Sequence, residues 1–250
     1  ANMDPQTYVV TGASKGLGRA LALALARDGH PVFALARPST ELDGIGELLA
    51  SLAPGSRSIE CDLSDPTSIA TAACLISEQT TFVAGLVHNA GAIAPVKPMD
   101  KVDASDWARS IQVNLVGVQD LTQRIYSLLG GEQQSRITVI SSGASLRPIG
   151  SWSAYCVAKA GLDMWSRCVA EEGRANNISS ISIAPGVVDT SMQKEIRSVP
   201  SEDFPSLKTF IDLHENGHLA SSETVASQLF PLVTGHTMEQ SGLRFDVREL

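Results

Sequence analysis

The sequence predicts an α/β fold: one domain over residues 1–250, built on a doubly wound parallel sheet of about seven strands with helices on both faces. Short apolar runs alternate along the chain with longer alanine- and leucine-rich segments of good helix formers. No linker-like or repetitive tract interrupts the alternation. Strands joined by crossover helices form parallel sheets that are buried on both faces.

The individual elements follow from the same alternation. Strands are predicted at residues 8–10, 31–36, 57–61, 82–88, 136–140, 180–183 and 242–247. Helices are predicted at residues 19–28, 41–52, 67–78, 104–129 and 153–174. Ligands of such sheets bind beyond the carboxyl ends of the strands. Asn89, Ser142 and Pro185-Gly186 each follow a predicted strand, so we expect them to meet at one edge.

Composition excludes several classes of partner. The net charge is -8 and the sequence pI about 5.1, which leaves no basic footprint for nucleic acid or an anionic membrane. The four cysteines form no C-x-x-C pair and no cluster with histidine, so we expect reduced thiols and no metal site. The first residues, Ala1 to Asp4, lack the regions of a signal peptide, and no apolar run is long enough to span a bilayer, so we expect a cytoplasmic protein.

A glycine loop follows the first strand and opens the first helix. Gly12, Gly16 and Gly18 give the pattern G-x-x-x-G-x-G. Such a loop lets backbone amides approach a pyrophosphate at the positive end of the helix dipole. Glycines also serve ordinary tight turns, but the strand before and the helix after this loop favour nucleotide binding.

The end of the second strand indicates which nucleotide binds. An NAD site commonly places an acid there to hold the ribose hydroxyls, whereas this chain has Ala36 followed by Arg37. Arg37 can pair with a 2′-phosphate, and Lys15 adds a second cation, so the sequence favours NADP. The alternative for Arg37 is a solvated loop residue. Asp62, after the third strand, is either an adenine contact or a helix cap.

Tyr155 and Lys159 are four residues apart on a predicted helix, so their side chains share one face. A phenol with a reference pKa of about 10 is a poor acid or base at neutral pH. We expect the ammonium of Lys159 to lower the pKa of Tyr155 towards the working range. An isolated Y-x-x-x-K is usually just an aromatic residue and a surface lysine.

The motifs together resemble the short-chain dehydrogenase/reductase family over nearly the whole chain. They are Thr11 to Gly18, Asp62-Leu63, Asn89-Ala90-Gly91, Asn114, Ser142, Tyr155-x-x-x-Lys159 and Pro185 to Thr190. The resemblance implies a Rossmann-type sheet and a catalytic tetrad of Asn114, Ser142, Tyr155 and Lys159. Ser142 would orient the carbonyl oxygen and Tyr155 would donate the proton. Lys159 would also hold the ribose hydroxyls, and Asn114 would anchor a water linking Lys159 to solvent.

The resemblance also implies a set of cofactor contacts: Gly12, Ser14, Lys15, Gly16, Leu17, Gly18, Arg37, Asp62, Leu63, Asn89, Ala90, Gly91, Tyr155, Lys159, Pro185, Gly186, Val188, Thr190 and Met192. Structural alternatives stay open for some of these residues. Asn114 can be a helix kink or a satisfied core amide, and Ser142 a strand-end cap. Thr190 can open a capping box with Gln193. His88 is expected to be structural.

Within the family, the chain resembles the sepiapterin reductase and benzil reductase branch. The similarity lies in Trp152, Cys156 and Met164 around the Tyr155 pair, in Asp189-Thr190-x-Met192-Gln193, and in the tail around Asp246. It implies substrate contacts from Ser142, Leu146, Trp152, Tyr155, Gly186 and Asp246. It also implies a substrate lid over residues 192–219. The alternatives are plain packing for the lid and a structural role for Asp246.

The function expected from these motifs is NADPH-dependent reduction of a ketone, one carbonyl of a vicinal dicarbonyl such as benzil or sepiapterin. The alternatives are a generic NADP-dependent alcohol dehydrogenase or 3-oxoacyl reductase of the same family, and a non-catalytic nucleotide sensor. The expected partner is a small-molecule carbonyl substrate. By resemblance, the helices at residues 104–129 and 153–174 would pair subunits into a homodimer or homotetramer.

Overall fold

One seven-stranded sheet forms the centre of the computed structural model, which describes residues 6–250. The strands are β1 (Tyr8–Thr11), β2 (Val32–Ala36), β3 (Arg57–Glu60), β4 (Gly85–His88), β5 (Ser135–Ile140), β6 (Ile178–Ala184) and β7 (Arg244–Asp246). Their order is β3-β2-β1-β4-β5-β6-β7, and every neighbouring pair is parallel. The predicted α/β fold is confirmed. The signal-peptide argument rests on Ala1 to Asp4, which lie outside the described residues.

Helices cover both faces of this sheet. They are α1 (Gly16–Arg27), α2 (Thr40–Leu52), α3 (Pro66–Gln79), α4 (Ala104–Ile111), α5 (Gly117–Arg124), α6 (Ser153–Gly173), α7 (Ser191–Arg197), α8 (Leu207–Glu215) and α9 (Ser222–Gly235). Apolar side chains of α1, α2 and α9 form one core with Tyr8 and Val10 of β1. Those of α3, α5 and α6 form a second core with Val9. The side chains of β1 therefore alternate between the two cores.

The long helix predicted at residues 104–129 is interrupted. A π-helical turn, Gln112–Val116, separates α4 from α5, and a 3₁₀ turn, Tyr126–Leu128, follows α5. Asn114 lies in the π turn, where its side-chain amide donates to the carbonyl oxygens of Ser110 and Ala92. Periodicity did not reveal the interruption, because the π turn spans only five residues and depends on the contact of Asn114 with Ala92, which is distant in the sequence.

Other boundaries differ from the predictions by a few residues. Strand β4 begins at Gly85 instead of residue 82, and the amide of Val83 donates to Leu128 O in the 3₁₀ turn. Strand β7 spans Arg244–Asp246, inside the predicted range 242–247. Helix α9, for which the sequence pattern gave no prediction, packs on α1.

The segment predicted as a lid packs over the carboxyl edge of the sheet. Phe204, which is fully buried, stacks on Trp152 at 5.5 Å between ring centroids. Phe210 of α8 lies 5.2 Å from Trp152. Lys97 Nζ donates to Asp203 Oδ2 at 2.6 Å and joins this segment to the loop after β4. Opening and closing of the segment stay a prediction.

Residues 6–250 include no helix that is both long and apolar enough to cross a membrane. The same residues contain no group of three or more His, Cys, Asp or Glu side chains arranged to hold a metal ion.

Two histidines are buried in the neutral form. Thr122 donates its hydroxyl to Val118 O, so His88 Nε2–H donates to Thr122 Oγ1 at 2.8 Å. The remaining ring nitrogen of His88 is buried without a partner. Burial lowers the pKa of His88 to about 3 and that of His236 to about 4. Protonation of either ring would therefore place a poorly compensated charge inside the protein.

We expect acid to destabilise the fold through these histidines. In the unfolded chain both histidines bind a proton as the pH falls below about 6.5. In the folded protein they bind it only at about pH 4 or lower, so the free energy of unfolding falls as the pH falls. Between pH 7 and pH 5 the loss is roughly 2 kcal/mol per histidine. Urea unfolding of His88→Gln should fall by about 2 kcal/mol less over this range than that of the parent.

The control is His214→Gln, on the exposed end of α8, which should follow the parent protein at every pH. Equal pH dependence of His88→Gln and the parent would contradict the assignment of His88 as a buried neutral group.

Candidate active site

A cavity of about 720 Å³ runs along the carboxyl edge of the sheet, where the strand order reverses between β1 and β4. The predicted site residues that line it are Gly12, Ser14, Lys15, Gly16, Leu17, Arg37, Asp62, Leu63, Asn89, Ala90, Gly91, Ser142, Trp152, Tyr155, Lys159, Pro185, Gly186, Val188, Thr190 and Met192. Four predicted site residues are not among its lining: Gly18, Asn114, Leu146 and Asp246.

Hydrogen bonds between Thr11, Gly12, Asn89 and Ala90 hold the glycine loop against the end of β4, and we call this contact the clasp. Thr11 Oγ1 accepts the backbone amides of Asn89 at 3.1 Å and of Ala90 at 3.0 Å. The Asn89 side chain donates to the carbonyl oxygens of Thr11 and Gly12. Gly12 has φ +61, and a Cβ on it would lie 2.9 Å from Ala90 Cα. Only glycine therefore allows this close approach of the two loops.

The first turn of α1 opens on the cavity. Its N-cap, Lys15, makes no side-chain hydrogen bond to the turn. Ser14, Lys15, Gly16 and Leu17 all line the cavity. Amides that no cap satisfies, at the positive end of a twelve-residue helix, fit the oxygens of a pyrophosphate. These residues are suited to hold a dinucleotide cofactor.

The ends of β2 and β3 form the wall beside this loop. Ala36 ends β2, and Arg37 and Ser39 follow it in the cavity lining. Asp62 accepts the amide of Ser64 at 2.9 Å and its hydroxyl at 2.7 Å. These hydrogen bonds lower the pKa of Asp62, and Arg37 adds a smaller charge effect. Asp62 therefore lines the cavity and also fixes the turn after β3.

Ser142, Tyr155 and Lys159 come together at the other end of the cavity. Tyr155 and Lys159 are buried, at 7% and 4% exposure, although both line the cavity. Lys159 Nζ donates to Ile140 O at 2.9 Å and lies 5.6 Å from the centroid of the Tyr155 ring. The Tyr155 hydroxyl donates to Met192 Sδ at 4.0 Å, and the nearby Ser142 hydroxyl acts to lower the pKa of Tyr155. Ser142 Oγ also accepts the amide of Ala144, so the strand-end cap is present as well.

Burial sets the protonation of this pair. It raises the pKa of Tyr155 to about 12, against the opposing effect of the Ser142 hydroxyl. It lowers the pKa of Lys159 to about 8, against the opposing charge of Asp163. The expected lowering of the Tyr155 pKa is therefore corrected: burial, which disfavours the charged phenolate, is the largest effect on this pKa and raises it.

Asn114 lies behind the cavity wall and is completely buried. Its Oδ1 accepts the amide of Ala92, and its Nδ2 donates to the carbonyl oxygens of Ala92 and Ser110. A Cβ on Gly91 would lie 3.1 Å from Asn114 Oδ1 and 3.7 Å from Lys159 Nζ. Asn114 is thus both a satisfied core amide and a neighbour of Lys159. Its role in anchoring a water stays a prediction.

Two residues predicted to contact substrate lie elsewhere. Leu146 is 70% exposed and is not part of the cavity lining. Asp246 is buried and paired through both oxygens with Arg248, so the structural alternative for Asp246 describes it better. Arg248 lies in the 3₁₀ turn Val247–Glu249, which follows β7, and its side chain lines the cavity in place of that of Asp246. No motif in the sequence indicated that Arg248, and not Asp246, would line the cavity.

The capping-box alternative for Thr190 is not found. Thr190 is the N-cap of α7, but its side chain makes no capping hydrogen bond. Gln193, which that alternative required, has a buried Oε1 without a partner and lines the cavity. Arg109 and Arg147 also line it and were missed, since neither belongs to a recognisable motif.

The chain belongs to the short chain dehydrogenase family, whose model matches residues 6–200. It is therefore an oxidoreductase. It is 33% identical to a benzil reductase ((S)-benzoin forming) of Bacillus subtilis strain 168, over 98% of this chain and 99% of that protein. It is 30% identical to an NADPH-dependent pterin aldehyde reductase of Arabidopsis thaliana, over 75% and 76%. The crystal structure of the KRED1-Pglu enzyme matches with TM-score 0.87 and 32% identity, over 96% and 99%.

These similarities confirm the predicted family and the predicted likeness to the sepiapterin and benzil reductase branch.

We expect the close contact at Gly18 to be essential to the loop. A Cβ on Gly18 would collide with Gly12 O and with the Asn89 amide nitrogen, and neither can move without breaking the clasp. Gly18→Ala should lower the free energy of unfolding by about 1–3 kcal/mol and weaken dinucleotide binding. Gly44→Ala in α2, where nothing lies within 4 Å, should instead stabilise by up to about 1 kcal/mol. Urea unfolding measures both, and similar effects of the two variants would contradict the expectation.

Proposed function

We propose that the protein is an NADPH-dependent carbonyl reductase that reduces one ketone of a vicinal dicarbonyl. The observation that carries this proposal is the convergence of Ser142, Tyr155 and Lys159 at one end of a cavity whose other end holds Lys15 and Arg37. The first three groups suit proton donation to a carbonyl, and the two cations suit a phosphate-bearing cofactor.

The preference for NADP over NAD is supported by charge. Arg37 follows the last residue of β2, where an NAD site commonly carries an acid, and Lys15 lines the same end of the cavity. A guanidinium offers a fork of donors to a 2′-phosphate. The pterin aldehyde reductase that resembles this chain is described as NADPH-dependent. The residues assigned to the cofactor are those of the glycine loop, Asp62, Asn89 and the segment from Pro185 to Met192.

In the proposed mechanism the bound cofactor supplies the hydride that reduces the carbonyl carbon. Ser142 donates a hydrogen bond to the carbonyl oxygen, where negative charge builds up. With a pKa of about 12, Tyr155 is fully protonated at neutral pH and is ready to donate its proton to that oxygen. The Ser142 hydroxyl acts to lower the pKa of Tyr155, and Lys159 Nζ, 5.6 Å from the centroid of the Tyr155 ring, places a positive charge beside the phenolate that remains.

Lys159 is assigned two further tasks. Its ammonium lines the cavity and is suited to hold ribose hydroxyls. Asn114, one layer behind Gly91, is suited to anchor a water that returns a proton to Lys159. The pKa of Lys159, about 8, allows the side chain to give and regain a proton near neutral pH.

An aromatic wall supports the proposed substrate class. Trp152, Phe204 and Phe210 lie within 5.2–5.6 Å of one another, and Trp152 meets the Tyr155 ring edge-on at 5.6 Å. Trp152 and Phe210 line the cavity beside Tyr155. Flat aromatic substituents gain from such edge and face contacts. The benzil reductases that resemble this chain are named for a substrate of that kind. The segment 192–219 is the proposed lid.

Location in the cytoplasm and assembly into a homodimer or homotetramer stay predictions. The proposed partner is the small-molecule carbonyl substrate.

The proposal is tested by a substrate panel with NADPH and NADH in parallel. We expect benzil and sepiapterin to be reduced with at least a tenfold higher kcat/KM than an acetoacetyl thioester, because the aromatic wall contributes only to the first two. Tyr155→Phe, which removes only the phenolic oxygen, should abolish turnover while cofactor binding persists. Preference for the thioester would instead indicate a 3-oxoacyl reductase, and bound NADPH without any turnover would indicate a non-catalytic nucleotide sensor.

Arg37 provides a separate test of the cofactor. We expect Arg37→Ala to weaken NADPH binding by about 10- to 100-fold and to leave NADH binding nearly unchanged, because one charge-assisted pair with the 2′-phosphate is lost. Arg19→Ala removes the same charge from the exposed side of α1, outside the cavity lining, and serves as the matched control. Dissociation constants from fluorescence titration measure the effect. Equal losses for the two cofactors would remove Arg37 from the phosphate site.

A further inference from the structure

The terminal strand reaches into the active site through Arg244. Its Nη2 donates to the backbone oxygen of Ser142 at 3.1 Å, and its Nε donates to Asp163 Oδ2 at 3.0 Å. Both side chains of the ion pair are mostly buried, at 22% and 16% exposure. One guanidinium thus joins β7, the segment that carries Ser142, and helix α6. A planar fork with donors on two sides suits such a bridge.

Asp163 connects the same bridge to Lys159. It lies four residues further along α6, so the two side chains share one face of the helix. Its Oδ2 is bonded to Arg244, and its Oδ1 is buried without a hydrogen-bond partner. A buried carboxylate oxygen that nothing satisfies acts on nearby charges with little screening.

The charged and titratable groups around Lys159 are few among residues 6–250. Helix α6 contributes Tyr155 and Asp163, and β7 contributes Arg244 through Asp163. Strand β5 offers the carbonyl of Ile140, while the loop after β4 and the π turn offer Gly91 and Asn114, none of which titrates. Asp163 is the group whose charge opposes the effect of burial on Lys159.

We propose that Asp163 and Arg244 are a pair of positioning residues: Arg244 holds the Ser142 backbone in place, and Asp163, partly neutralised by Arg244, sets the charge of Lys159. Neither residue touches the reacting atoms. The catalytic consequence rests on the proposed function, since it takes Ser142 and Lys159 to be working groups. The effect on Lys159 itself does not, because it concerns the protein alone.

The proposal requires shifts of opposite sign in two variants. Asp163→Asn is isosteric and keeps an acceptor for Arg244, but it removes the negative charge, so the pKa of Lys159 should fall below about 8. Arg244→Met removes the cation that offsets Asp163, so the pKa of Lys159 should rise. A role in packing alone would produce no such pair of opposite shifts.

The first measurement needs neither substrate nor cofactor. The chain is labelled with ¹³Cε-lysine, and the Lys159 resonance is assigned by its loss in Lys159→Met and followed against pH. We expect a shift of roughly one unit downward in Asp163→Asn and upward in Arg244→Met. Glu172→Gln makes the same charge change on the exposed side of α6 and should leave the titration where it was.

The second measurement is the pH profile of kcat for ketone reduction. If protonated Lys159 is needed, activity declines as the pH rises through its pKa, so the decline should begin at lower pH in Asp163→Asn and at higher pH in Arg244→Met. Arg244→Met should also lose about tenfold in kcat at its plateau, because the Ser142 carbonyl loses its donor.

Shifts in the same direction, or a Lys159 resonance that moves in neither variant, would overturn the proposal. If Arg244→Met does not fold, the sign of the shift in Asp163→Asn decides alone: a fall supports the proposal, and no change or a rise overturns it. A correct pair of NMR shifts with no ketone turnover in any variant would count against the proposed function and leave the assignment of Asp163 and Arg244 standing.

Discussion

The site depends first on one hydroxyl group. Thr11 Oγ1 accepts two successive backbone amides, those of Asn89 and Ala90, and thereby fastens the glycine loop after β1 to the loop after β4. Strands β1 and β4 are where the sheet order reverses, so this contact joins the side of the cavity proposed for the cofactor to the side that holds Tyr155 and Lys159. The glycine loop can lie this close to the loop after β4 because Gly12 and Gly18 have no Cβ atom, which would otherwise collide with Ala90 and Asn89. Without the clasp, the distance between a bound phosphate and Tyr155 would not be fixed.

At the end of the cavity that holds Tyr155 and Lys159, burial controls which side chains are charged. Burial disfavours the charged form of both side chains. It therefore raises the pKa of the Tyr155 phenol and lowers the pKa of the Lys159 amine. The protein offsets that cost with a few directed contacts, namely the Ile140 carbonyl on Lys159 and the Ser142 hydroxyl on Tyr155. The helix that carries both residues is held over the sheet by an apolar face, so their spacing is preserved.

The order of strands and helices and the glycine loop could be predicted because each is encoded within a few neighbouring residues. The grouping of Ser142 with Tyr155 and Lys159 was implied by the family resemblance and is not encoded in local spacing. The π turn at Asn114 could not, since it depends on a tertiary contact with Ala92. The raised pKa of Tyr155 was missed because burial is a property of the folded chain, whereas the spacing to Lys159 is visible in the sequence. For Asp246 the sequence left a substrate contact and a structural role open, because it carries no sign that Arg248 would turn back onto the carboxylate.

The all-parallel sheet has a consequence for how the molecule forms. A parallel pair cannot be closed by a hairpin, so each contact waits for a crossover. The central pair is the most extreme case, because the clasp between Thr11 and Asn89 spans 78 positions of the chain. Closing a loop of this length is slow, because the intervening chain loses conformational entropy before the contacts between the two strands form. We therefore expect the nucleotide loop to form late in folding. A dinucleotide that binds only the folded protein would then stabilise it by mass action.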